Sequence, residues 1–282
     1  MSSAPFTLDE LVAHIHKLPA MPAVAMEVLA SMAGADTDID KLAHQIAQDQ
    51  AIAARVLRVA NSPFYGLQAR VSSIHDAIVV LGLSSVRSLV LAAAVVTSLP
   101  AGCAAGFNQD RFWRHVLGTA VAAQALAQAL GRRPESLFIA GLLHDIGRLA
   151  LMVLDPDHFS RCLELAHSGD LPLTDAERRI FGFDHAQVGA ALTARWNFPA
   201  DIVDALAWHH DPQRGAPGGM AGIIHYADAI SQALDLDEGK DEWSQVPRLD
   251  QETVTGLGLS WEVLLAVLED TRNRFESYRL ML

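Results

Sequence analysis

The sequence predicts an all-α fold, a bundle of many helices, and three observations carry that reading. Apolar residues recur at helical spacing along nearly the whole chain. Period-2 alternation, the mark of half-buried strands, is almost absent. Proline, glycine and Asn-Ser clusters interrupt the apolar pattern at intervals of about one helix. The composition agrees, with 51% of the 282 residues apolar and 19% charged, far from the signature of disorder. The length fits one large domain or two modest ones.

Residues 7–16 open with Thr7-Leu8-Asp9-Glu10, the pattern of a capping box, in which hydroxyl and carboxylate satisfy free backbone N–H groups. Leu18-Pro19-Ala20-Met21-Pro22 links to a helix with Val24, Val28, Leu29 and Met32 on one face. Asp38 and Asp40 begin a helix over 38–48. The stretch 51–60 is helical and is stopped by Asn61-Ser62-Pro63. Two more helices, 74–81 and 84–98, are separated at Gly82, and 100–106 is a small-residue linker. Long helices are expected at 110–130, 135–153 and 156–168. Thr174-Asp175-Ala176-Glu177 reads as a second capping box, opening a helix toward Phe181. Helices at 185–196 and 200–210 follow, with Pro199 suited to a first turn. The stretch 215–219 is loop, and helices at 220–236 and 260–279 complete the chain. The organisation is an N-terminal helical module at 1–104, a helical core at 105–236 and a C-terminal helical extension at 237–282.

Acidic residues outnumber basic ones 33 to 21, a formal charge of −12, which argues against a scaffold for nucleic acid or an anionic membrane. Cys103 and Cys162 form neither a CxxC pair nor a disulfide framework. The N-terminus lacks a basic stretch followed by an apolar core, so no secretory leader is expected. The most apolar run, 89–99, is short for a membrane span. The expectation is a cytoplasmic protein.

The chain has 12 histidines against 3 tyrosines. His144-Asp145 lies between the apolar stretches 138–143 and 149–154. An ionisable aspartate buried beside a histidine is costly unless both are satisfied. A metal ion satisfies both, and so does a hydrogen-bonded pair. His115, His185, His209, His210 and Asp228 add one or two imidazoles or carboxylates on each of several further helices. That mix is the donor set of a bundle-core metal site. Imidazole with carboxylate suits Fe, Mn or Ni ahead of Zn, and the lack of cysteine ligands disfavours structural zinc.

The order His, His-Asp, His, His-His, Asp resembles the HD superfamily of metal-dependent phosphohydrolases. Leu18-Pro19-Ala20-Met21-Pro22, Asp49-Gln50-Ala51, the run from Arg55 to Ser62 and Ala77-Ile78-Val79-Val80-Leu81-Gly82 resemble the HDOD family in particular. So do Gly141 to Arg148, Phe181-Gly182-Phe183-Asp184-His185 and Trp208-His209-His210-Asp211-Pro212, and the resemblance covers residues 15–235. It implies an HDOD module ahead of an HD-like core, and a bacterial signalling or regulatory role. The related HD-GYP phosphodiesterases imply that His115, His144, Asp145, His185, His209, His210 and Asp228 are metal ligands, with Asp145 bridging up to two divalent ions. Arg148 stands where active relatives carry lysine and is the implied phosphate donor. Arg111, one turn before His115, stands where some relatives place a glutamate for a third metal, and with Arg114 would add cationic charge. The segment 211–217 holds no Gly-Tyr-Pro motif, so hydrolysis of cyclic di-GMP is not implied.

The leading expectation is regulatory: a pocket that holds a metal or a small anion, or only a hydrogen-bonded network, and whose state passes to an unknown signalling partner, with the N-terminal module as the docking surface. Met21, Met26, Met32 and Phe64-Tyr65 are candidates for that surface, although helical spacing favours core packing for the methionines. One alternative is a metal-dependent phosphohydrolase or phosphodiesterase using Asp145, His209 (or His210), if not a ligand, as general acid, and Arg148. Another is a di-iron oxygenase. Bound metal with Arg148 makes a pocket locally positive, so an anionic ligand suits an acidic chain. His225, one turn before Asp228, is a candidate supporting residue. His14, His16, His44 and His75 read as solvated or capping residues. The last helix, with Trp261, Leu264, Leu265, Leu268 and Phe275 at helical spacing, packs on the bundle or serves a homodimer.

Overall fold

A computed structural model describes residues 6–14, 18, 21–33, 38–67, 70–98, 104–215, 218–238 and 257–282. His16, Cys103, Trp243, Pro19, Ala20 and much of the expected 100–106 linker lie outside the described residues. Among the described residues there is no strand. The N-terminal helices are α1 (Leu8–His14), α2 (Ala23–Ala33), α3 (Ile39–Gln48), α4 (Gln50–Ala60), α5 (Ile74–Leu81) and α6 (Leu83–Ser98). The core helices are α7 (Gln109–Ala129), α8 (Pro134–Leu143), α9 (Ile146–Leu154), α10 (Pro156–Gly169), α11 (Leu173–Phe181), α12 (His185–Arg195), α13 (Ala200–Trp208) and α14 (Met220–Ala233). The last is α15 (Trp261–Tyr278).

Local chemistry sets the boundaries. Thr7 and Glu10 form the expected box: Thr7 N–H donates to Glu10 Oε2 at 2.9 Å and Glu10 N–H to Thr7 Oγ1 at 3.3 Å. Asp49 closes α3 and opens α4, accepting from Ala51 and Ile52 N–H at 3.1 Å each. Asn61 stops α4 by pairing with Val71, its amide donating to the Val71 carbonyl and its oxygen accepting from the Val71 N–H, both at 2.8 Å.

The core is built around α7, which packs against α8, α14 and α15. Gly141 lets α8 approach closely, since a Cβ there would stand 2.8 Å from Ala120 Cα on α7. The C-terminal segment touches both α7 and the N-terminal helices. Arg274 donates to Gln128 on α7 at 2.9 Å, and Arg58 of α4 donates to the Leu280 carbonyl at 3.1 Å. Phe275 and Tyr278 are buried, whereas Trp261 on the same helix is 66% exposed. Met21 is buried, and Met26, Met32 and Tyr65 pack against the core, while Phe64 is exposed.

Two expectations need correction. The helix expected over 135–153 is two helices, α8 and α9, broken at His144-Asp145. The box expected at Thr174–Glu177 does not form: α11 begins after Pro172 with no side-chain cap, and Glu177 is used elsewhere. The capping box in this region belongs to Asp184 and Gln187 and opens α12. Among the described residues, one stretch is long and apolar enough to cross a membrane, Pro134–Leu154, and 83% of its apolar window is buried inside the protein.

Candidate metal centre

The same local device ends α8 and α13. The last carbonyls of a helix have no intrahelical partner. His144 Nδ1 lies 2.7 Å from the Gly141 carbonyl, and His209 Nδ1 lies 2.7 Å from the Leu206 carbonyl. A carbonyl only accepts, so each Nδ1 carries a proton and each Nε2 is turned away from the helix end. Both helices direct their partly negative C-terminal ends to one place, which favours a cation there.

Around it α7 supplies His115, α12 begins with His185, His210 follows His209, and α14 supplies Asp228. The structure brings all of these together as two groups of donor atoms: Asp145, His185, His209 and His210 in one, and His115, His144 and Asp228 in the other. Asp145 stands between them. Its Oδ2 lies 3.4 Å from His144 Nε2 and 3.5 Å from His115 Nε2, and its Oδ1 lies 3.0 Å from His185 Nε2 and 3.7 Å from His209 Nε2. His115 Nε2 is 3.3 Å from Asp228 Oδ1 and 3.3 Å from His144 Nε2. His210 Nε2 is 2.9 Å from His185 Nε2.

These residues are buried or nearly so. Burial weakens the charged form of His144 and outweighs the neighbouring carboxylates, so its ring falls to about 4. Burial, with His209 and His185 adding repulsion, also lowers His210 well below the usual range. Burial opposes ionisation of Asp145, but Arg148, His144 and His185 outweigh it and hold the carboxylate well below its ordinary value. For His185, burial is outweighed by Glu177 and Asp145, and the ring rises to about 9. For His115, Asp228 and Asp145 overcome burial and raise it.

The residues fit a metal. Nε2 of His209 is buried without a hydrogen-bond partner, a costly state that a cation would relieve, and both oxygens of the fully buried Asp145 face the same centre. Carboxylates and imidazoles facing one another are the donor chemistry of a transition-metal site.

Arg148 NH1 lies 2.9 Å from Asp145 Oδ2, and its Nε is buried without a partner. The other expected cations are engaged elsewhere. Arg111 donates from Nε to Asp237 Oδ2 at 2.8 Å, and Arg114 pairs with Glu238 at 2.6 Å. Both therefore bind the turn after α14. His225 supports His209: its Nδ1 donates to the His209 carbonyl at 2.8 Å. His14 and His44 have partners one turn away, in Glu10 and Gln48, and His75 of α5 meets Asp40 of α3.

The residue that sequence reasoning missed is Glu177, fully buried and hydrogen-bonded to His185. The available signal was its spacing, eight residues before His185 in an amphipathic helix otherwise free of buried charge.

An all-helical core bearing opposed His and Asp donors about a His-Asp pair could hold a metal ion. The HDOD domain model matches residues 18–212, and the chain belongs to the HDOD domain family. It is similar to an HDOD domain protein of unknown function from Geobacter sulfurreducens, with 26% identity, a TM-score of 0.76, and 96% and 97% of the two chains covered. It is similar to a candidate phosphohydrolase of Shewanella amazonensis, with 27% identity, a TM-score of 0.75, and 96% and 98% covered. An uncharacterized protein of Treponema pallidum is 25% identical over 243 residues, 83% of this chain and 45% of that protein. Ribonuclease Y of Thermus thermophilus is 33% identical over 119 residues, 42% of this chain and 15% of that one. The chain thus spans less than half the length of these curated relatives.

Proposed function

We propose that the core binds up to two divalent transition-metal ions with a phosphate-bearing small ligand, and that the protein serves bacterial signal transduction by passing the state of this centre to a partner. The carrying observation is Asp145, whose Oδ2 faces His144 and His115 while its Oδ1 faces His185 and His209. Imidazole and carboxylate donors favour Fe, Mn or Ni over Zn. Bound ions would supply Lewis-acid stabilisation of a phosphoryl oxygen and acidify a bound water. The chain supplies the rest: Asp145 is held anionic, His144 is held neutral, and Arg148 has an unpartnered Nε for a phosphate oxygen. Support for a regulatory role comes from α15, which packs both on α7, the helix of His115, and on the turn Pro63–Tyr65 that follows α4.

Hydrolysis of a phosphoester is the second reading, favoured by the full donor set and the likeness to the Shewanella candidate phosphohydrolase. The test begins with elemental analysis and Mn2+ titration. Two equivalents are expected, with loss in His144→Ala; a folded protein that takes up no Mn2+ or Fe2+ would overturn the proposal. Mn2+-loaded protein is then offered nucleotides, cyclic dinucleotides and a short RNA. Binding without turnover is the expected result, and turnover selects the second reading.

A further inference from the structure

Glu177 is fully buried, yet it belongs to neither donor group and comes from α11, which supplies no donor. Its Oε2 accepts twice from one residue, from the His185 backbone N–H at 2.9 Å and from His185 Nδ1–H at 2.7 Å. Its Oε1 is buried without a partner. Packing alone does not explain a carboxylate here, because an apolar side chain of similar size would avoid the desolvation cost. The support behind the other rings differs in charge. His144 and His209 rest on neutral backbone carbonyls at 2.7 Å, whereas His185 rests on an anion.

We propose that Glu177 is a positioning residue that makes the two halves of the centre unequal. It fixes the His185 ring with Nε2 toward Asp145 Oδ1 and strengthens that nitrogen as a donor. The group of Asp145, His185, His209 and His210 therefore fills first and holds its ion more tightly than the group of His115, His144 and Asp228. This rests on the two-metal reading above. A carboxylate behind a ligating imidazole raises its basicity, and loss of such support costs about 10–100-fold in metal affinity.

The test is a Co2+ titration of metal-free protein, followed by calorimetry and visible absorption. Wild type should show two steps of unequal affinity. Glu177→Gln keeps the shape and an acceptor for Nδ1–H but removes the charge. It should weaken the tighter step by about 10–100-fold, alter that step's cobalt spectrum and leave the weaker step unchanged. Equal loss in both steps, or no change, overturns the role of Glu177. Wild type that binds no Co2+ overturns the two-metal reading, and the role of Glu177 with it. A second measurement needs no variant. In 15N-histidine-labelled wild type, the His185 Nδ1 proton should give a far-downfield NMR signal protected from exchange, and its absence overturns the proposal.

Discussion

At the scale of single residues, Asp145 and Asp184 show how one side-chain type does two jobs. Asp145 faces both donor groups, so its loss should be felt in both, whereas His115 belongs to one. Asp145→Asn is expected to abolish both metal equivalents and His115→Ala to remove one, read by elemental analysis after dialysis against Mn2+. Equal stoichiometry in the two variants would show that Asp145 does not bridge. Asp184 is structural. Its Oδ1 accepts from the Gln187 N–H at 3.1 Å, capping α12, and its Oδ2 accepts from Arg178 Nε at 2.9 Å. Burial opposes its ionisation, but His185, the Gln187 N–H and Arg178 outweigh it and lower its pKa in the folded state. The unfolded chain therefore holds the proton more tightly, and the stabilisation is full above the unfolded value of about 3.9 and lost as pH falls through the folded value. Asp184→Asn keeps a capping oxygen and loses the charge. The stability difference from wild type, measured by urea unfolding, should be flat above about pH 5 and shrink toward zero in acid.

At the scale of elements, the periodic helices were legible because each buries one apolar stripe, and the breaks that make the site were not. The flanks of His144-Asp145 are apolar on both sides, so periodicity runs straight through 135–153. The break comes from His144 Nδ1 taking the Gly141 carbonyl, a hydrogen bond no hydropathy pattern records. Glu177 was misread for a related reason: Thr174-Asp175-Ala176-Glu177 has the letters of a capping box, but tertiary structure gives the carboxylate to His185. The ligand order was legible, since histidines and aspartates in apolar helices are conspicuous. Their division into two groups about Asp145 depends on how α7, α8, α12, α13 and α14 pack. Gly147 belongs to that packing. A Cβ there would lie 2.0 Å from the His185 carbonyl and 2.8 Å from the Gly189 nitrogen, so α9 and α12 meet backbone to backbone. Gly147→Ala must push them apart, and overpacking of this kind costs about 1–3 kcal/mol. Urea unfolding should show that loss together with weaker Mn2+ binding, because α12 carries His185. A loss of stability with unchanged metal affinity would mean the centre adjusts independently of the α9–α12 contact.

At the scale of the whole molecule, metal binding and folding should be one equilibrium. The donors come from helices spread from α7 to α14, and no short segment holds the set. An unfolded chain therefore offers no comparable site, and ligand that binds only the folded state adds RT ln(1 + [L]/Kd), about 2.7 kcal/mol at a hundredfold excess over Kd. For chains of 150–250 residues each kcal/mol moves Tm by roughly 2–4 °C. Mn2+ should accordingly raise the Tm of wild type by several degrees and leave Asp145→Asn unmoved, read by differential scanning calorimetry. The shape of that transition is equally informative. α15 packs on α7, Arg58 of α4 donates to the Leu280 carbonyl just beyond α15, and Arg274 of α15 donates to Gln128 of α7. The N-terminal helices are thus fastened to the helix that bears His115. If that connection carries the state of the centre, heat should unfold the protein in one transition that moves as a unit with Mn2+. Two transitions, with only one displaced by metal, would show that the N-terminal helices do not sense the centre and would remove the structural basis for a regulatory role.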